Sequence, residues 1–187
     1  MSYARLGNLD LGIDHQRQAA RIADETNAAR LRVNARIYEI IFLVWRGAPG
    51  DLATALNLAR WAVEETRAQP ALQILAIFAL SRVQLARRAI ESATETARDA
   101  NNRLTAAPVE EWEELIRLTY IEALLASGEQ DEANAVLDAA FTALSERVMS
   151  IRQPHHRDAF VRRNEEVYRI AELADHRLGR DGQAPTQ

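Results

Sequence analysis

The apolar positions of the chain recur at helical spacing. From Ala133 they run Ala133, Val136, Leu137, Ala140, Phe141, Leu144, Val148 and Ile151, a single stripe on one helix face. Ahead of Gly128 the series is Trp112, Leu115, Ile116, Tyr120, Ala123 and Leu124. The last segment shows Phe160, Val167, Ala171, Ala174 and Leu178, with Asn164 as a polar exception inside the stripe. Strand-like alternation never persists beyond a few residues, so no strand is predicted. The breaks are few and well spaced: Gly7-Asn8, the loop from Arg46 through Pro49-Gly50 to Asp51, Gln69-Pro70, Ala107-Pro108, Ser127-Gly128, Gln153-Pro154 and Gly179. Between them lie segments of about 15–25 residues, the length of ordinary to long helices, which predicts about seven or eight helices and an all-α fold.

The helix ends carry suitable chemistry. Glu110, Glu111, Glu113 and Glu114 follow Pro108, and carboxylates in a first turn complement the positive end of the helix dipole. That predicts a solvated helix start rather than a metal-binding acidic patch. Asp51 and Asp131 each follow a glycine turn, where an N-cap acceptor belongs.

A repeat underlies the helices. Gly7 leads to Gly12 and Ala19, Gly50 to Ala55 and Ala62, and Gly128 to Ala133 and Ala140, at identical offsets. A weaker copy is Arg88, Ala93 and Ala100, without the glycine. The turn residue ends one helix, and two small residues on one face of the next let a neighbouring helix approach closely. These small residues resemble those of the second helix of tetratricopeptide repeats. The best matches are Leu6-Gly7-Asn8-Leu9-Asp10-Leu11-Gly12-Ile13, Gly50-Asp51-Leu52-Ala53-Thr54-Ala55-Leu56 and the stretch from Ala123 through Gly128 to Ala133, and the resemblance covers nearly all of residues 6–144. It implies tandem antiparallel helix pairs, a TPR-like α-solenoid with a right-handed stack, that binds protein or peptide partners and needs no cofactor. A closed helix bundle is the alternative. On this reading residues 1–179 form one repeat domain and residues 180–187 a polar C-terminal tail.

The tail has its own likeness. Leu144-Ser145-Glu146-Arg147, Ile151-Arg152-Gln153-Pro154, Arg157-Asp158-Ala159-Phe160-Val161 and the stretch from Asn164 to Ala174 are similar to the closing helices of repeat regions in large bacterial signalling proteins. Those proteins join a serine/threonine kinase, an ATPase or a transcription-regulator module to a C-terminal array. The likeness implies a signalling or regulatory role, and a charged capping helix over residues 155–178. The start of the chain reads like the end of a helix, as expected of a split descendant or of a first unit that pairs differently.

Composition narrows the chemistry. The chain has 187 residues, no cysteine and a net charge of −4. Every basic residue is arginine. Disulfides, thiolate nucleophiles, Schiff-base lysines and phosphate-loop lysines are therefore excluded. The charge offers no footprint for nucleic acid. Uninterrupted apolar runs, such as residues 40–45, are far short of the ~20 residues that cross a membrane, and a cytoplasmic location is expected. His15, His155, His156 and His176 lack metal-ligand spacing. No nucleophile–base constellation stands out, so no catalytic activity is expected; a carboxylate enzyme or a phosphorelay histidine at His15 is the alternative.

Offsets from the turns place Ile40, Phe78 and Leu118 at equivalent first-helix positions, and Val44, Arg82 and Glu122 at another set. In the resembled family these face the groove, which makes Phe78, Arg82, Leu118 and Glu122 the candidate interaction surface. The helix over residues 11–26 carries Ile13, Ala20 and Ile22 with no partner on one side, which predicts self-association, or docking onto another protein, through the N-terminal end.

Overall fold

The computed structural model describes residues 8–109 and 112–179. Among them are nine α-helices: α1 Leu9–Glu25, α2 Ala29–Arg46, α3 Asp51–Glu65, α4 Pro70–Ala86, α5 Ile90–Ala106, α6 Glu113–Ser127, α7 Gln130–Ser150, α8 Pro154–Arg163 and α9 Glu165–Leu178. The described residues contain no strand. The chain divides between Val109 and Glu110 into two compact units, where the sequence suggested one domain over residues 1–179. Local chemistry explains the break. Ala107 leaves the helical region ahead of Pro108, as residues before proline do, and Trp112 takes a left-handed φ of 66° at the start of α6. The tail over residues 180–187 lies outside the described residues, as do Glu110 and Glu111.

In the first unit, α2 and α4 are buried over wide faces. α2 buries Val33, Ile37, Ile40, Ile41, Phe42 and Leu43, and α4 buries Leu72, Ile74, Leu75, Ile77, Phe78 and Val83. The two pack on each other and on their neighbours in sequence, α2 on α1 and α3, α4 on α3 and α5. The outer helices present narrower faces of small residues: Gly12, Ala20 and Ala23 on α1, Ala55, Ala59 and Ala62 on α3, Ala93, Ala97 and Ala100 on α5. Of the repeat positions, Ala55, Ala62, Ala93, Ala100, Ala133 and Ala140 are all buried. The first copy differs by one residue: Ala19 is exposed, and Ala20 takes the buried place.

Three turns share one geometry. Asn27, Arg88 and Gly128 adopt left-handed backbone. Past each, an amide reaches back to close the helix: Ala28 N–H to the Ala23 carbonyl at 2.7 Å, Ala89 to Gln84 at 3.0 Å, Glu129 to Leu124 at 2.9 Å. This is the six-to-one closure of a Schellman turn. The weaker fourth copy of the repeat thus keeps the turn and substitutes arginine for glycine. The aspartates expected as N-caps are not caps. Gly50 and Glu129 hold those positions without a side-chain bond to the helix's first amides, and Asp51 folds back onto its own loop.

The second unit packs α6 on α7, lays α9 across both, and sets α8 beside α7 and α9. The capping helix expected over residues 155–178 is two helices, because Asn164 leaves helical geometry at ψ 105° and its Nδ2 donates to the Phe160 carbonyl at 2.7 Å. The polar exception in the stripe is the hinge. The stripe turns with it: Ile170 and Leu173 are buried, while Ala171 and Leu178 are only partly so.

Candidate functional site

Phe78 and Leu118 lie in the cores of their own units, 0% and 4% exposed. This corrects their assignment to an interaction surface. They occupy the middle of helices whose apolar positions extend around most of the circumference, so equivalence by offset places them inside. Arg82 and Glu122 are partly exposed. Arg82 belongs to the first unit and Glu122 to the second, so the four residues form no common site within either. Ile13 and Ala20 also face inward, and Ile22 alone of the expected N-terminal patch is exposed. His15 is exposed on α1, and His155 and His156 stack edge-on with ring centres 4.1 Å apart. No group of three or more His, Cys, Asp or Glu among the described residues could hold a metal ion. No helix among them is long and apolar enough to cross a membrane.

The polar chemistry of the first unit gathers on arginines of α2. Arg32 Nη1 donates to Asp24 of α1 at 3.0 Å, its Nη2 bonds Glu65 of α3, and its guanidinium lies 5.6 Å from the centre of the Trp61 ring. At the other end, Arg46 donates to Asp10 of α1 at 2.6 Å and grips both oxygens of Asp51 of α3, at 2.9 and 2.7 Å. The Ala48 amide adds a bond to Asp51 at 2.9 Å. These bonds, Asp24's first for Arg32 and Asp51's first for Arg46, hold both guanidiniums above their ordinary pKa. The Arg46 bonds bring the Asp51 carboxyl below its usual value against the opposing effect of burial. One spacing runs through the arrangement. Fourteen residues separate Asp10 from Asp24, Arg32 from Arg46 and Asp51 from Glu65. On a helix that is about 21 Å, so three neighbouring helices are joined by charge at both ends.

Between these clamps lies the candidate site. An open depression of about 560 Å³ is lined by Asp14, Arg17, Gln18 and Arg21 of α1 and Arg36 of α2. Associated with it is Glu39, whose side chain is 2% exposed. Arg17 Nε donates to Glu39 Oε1 at 2.8 Å, and Arg36 Nη1 to Oε2 at 2.6 Å. Arg17 Nη1 also lies 3.9 Å from Asp14. A guanidinium has five N–H donors in a planar fork. Each arginine spends one on the buried carboxylate, and Arg17 turns a second toward Asp14. Glu39 therefore fixes two of the three guanidiniums that line the depression, and Arg21 stands one turn further along α1, exposed. Sequence reasoning missed this group. The signal was Glu39 itself, a lone carboxylate in the run Ile37-Tyr38-Glu39-Ile40-Ile41-Phe42, which requires charged partners if the run is buried.

The second unit holds a charge cluster of a different kind. Glu113 accepts from Arg117 of its own helix at 3.1 Å and from Arg147 of α7 at 2.6 Å, and Glu114 also pairs with Arg147. Burial raises the Glu113 carboxyl, and the Arg147 and Arg117 contacts outweigh it, leaving the group below its ordinary value. These carboxylates fasten α6 to α7 and are only partly exposed, unlike the solvated start expected. Their partner Arg147 lies over thirty residues along the chain, beyond any local pattern. Compared with protein-family models, with curated proteins and with solved structures, the chain matches none.

Proposed function

We propose that the chain is a non-catalytic protein-interaction scaffold of TPR-like helix pairs, allied to bacterial signalling or regulatory machinery and working in the cytoplasm. One observation carries the reading: in the first unit, wide-faced apolar helices alternate with helices whose narrower buried faces are mostly small residues. Such alternation stacks helix pairs side by side and keeps the outer faces free for ligands. The turns support it, since the repeat anchors Arg88 and Gly128, forty residues apart, share one left-handed closure. The polar groups support it too. Glu39 is paired with Arg17 across helices and with Arg36 on its own helix rather than set as a base beside a nucleophile.

The test is a selection of displayed random peptides on the 187-residue chain. Enrichment of a convergent sequence that binds the free chain in solution is the expected result. Turnover of phosphoester, ester, peptide or glycoside substrates, with no convergent peptide, would replace the scaffold with an enzyme.

A further inference from the structure

We infer that the depression between α1 and α2 receives an acidic side chain of a partner protein, its carboxylate held by Arg17, Arg21 and Arg36. This deepens the scaffold reading and rests on it. The donors are already in place. Glu39, almost fully buried, takes one N–H from Arg17 and one from Arg36 and so orients the remaining fork of each. Little side-chain order would then be lost when a ligand arrives, and that is the usual source of affinity in prebuilt sites.

The charge count points to the ligand. Among the residues lining the depression, together with Glu39, three guanidiniums meet two carboxylates, an excess of one positive charge, and the Asp51 charge that also reaches Arg17 is paired with Arg46. The whole chain carries −4, so the site is a local positive spot on an acidic protein. One carboxylate neutralises it. Nucleic acid would need an extended basic surface instead. Arg17 and Arg21 are also spaced one helical turn apart on the same face, a like-charge pair that weakens a helix until an anion sits between them. Carboxylates suit guanidinium forks because both are planar and pair through two parallel bonds. The opening has room for an acidic side chain and its flanking residues.

The experiment titrates the isotope-labelled 187-residue chain with a short acetylated and amidated Glu/Gly peptide, followed by amide and arginine Nε–Hε shifts. A Lys/Gly peptide is the control and inorganic phosphate the competitor. The expected result is shift changes confined to α1 and the first half of α2. Affinity for the Glu/Gly peptide should fall about tenfold or more in Arg21→Glu, fall less in Arg21→Gln, and be partly kept in Arg21→Lys. Arg21 is exposed and each replacement favours helix, so circular dichroism should be unchanged. Equal binding of the Lys/Gly peptide, or wild-type affinity in Arg21→Glu and Arg21→Gln, overturns the proposal. Displacement by phosphate at concentrations below the peptide's own Kd also overturns it, by making the site one for small oxyanions. If displayed peptides converge on a non-acidic sequence bound elsewhere, this inference fails and the scaffold stands; if no peptide binds at all, both fail.

Discussion

A carboxylate taken from water into a helix face is costly unless charged donors replace the water it loses. Glu39 has two such donors and is joined to α1 through one of them. Glu39→Gln keeps the shape and removes the charge, so it should lower stability by about 1–3 kcal/mol, seen as a lower urea midpoint at unchanged slope. Asp51 makes a pH prediction. Its carboxyl lies below the ordinary value in the fold, so the unfolded chain takes up the proton first. Its contribution is complete above about pH 4 and fades as pH falls through the folded value. Stability measured by urea midpoints between about pH 5 and about pH 2 should therefore fall less steeply in Asp51→Asn than in the parent. Glu113 acts with the same sign in the second unit.

Helices and their turns set the next level. Arg88 holds φ 63°, a conformation that costs a residue with a Cβ about 1 kcal/mol relative to glycine. Arg88→Gly should therefore raise stability by about 0.5–1 kcal/mol, and Gly128→Ala, at φ 87°, should lower it by about 1 kcal/mol. Thermal melts of the two variants check both, and opposite signs from equivalent turns would show that they are one motif. The helices themselves were legible because periodicity and turn residues are local signals. The α7 stripe and, apart from Ala19, the small-residue faces stand where the spacing puts them, and Ala133, Leu137, Ala140, Phe141, Leu144 and Val148 are buried. What the pattern blurred was direction. Where a helix is apolar nearly all round, as α4 is, periodicity cannot say which residues face a groove, and Phe78 went to the core. Asn164 was visible as an exception, but only its bond to Phe160 turns an exception into a helix break.

For the whole molecule, the division at Val109 predicts how stability is distributed. Phe78→Ala should cost about 3–5 kcal/mol, and the loss should show as faster hydrogen exchange through α1–α5 with α6–α9 little changed. The site was less legible than the fold for a physical reason. Arg17 meets Glu39 across 22 residues and Arg46 meets Asp10 across 36, and ion pairs of that reach leave no spacing rule to read. The fourteen-residue step shared by α1, α2 and α3 has a consequence for chain length. One residue inserted between Asp10 and Asp24, Arg32 and Arg46, or Asp51 and Glu65 would swing one member of a pair by about 100° and shift it about 1.5 Å. The two ends could then no longer close together, because no neighbour would have lengthened to match. The three helices thus act as a common gauge. Aligned with relatives, the chain should show gaps at residues 47–50 and none between the paired charges.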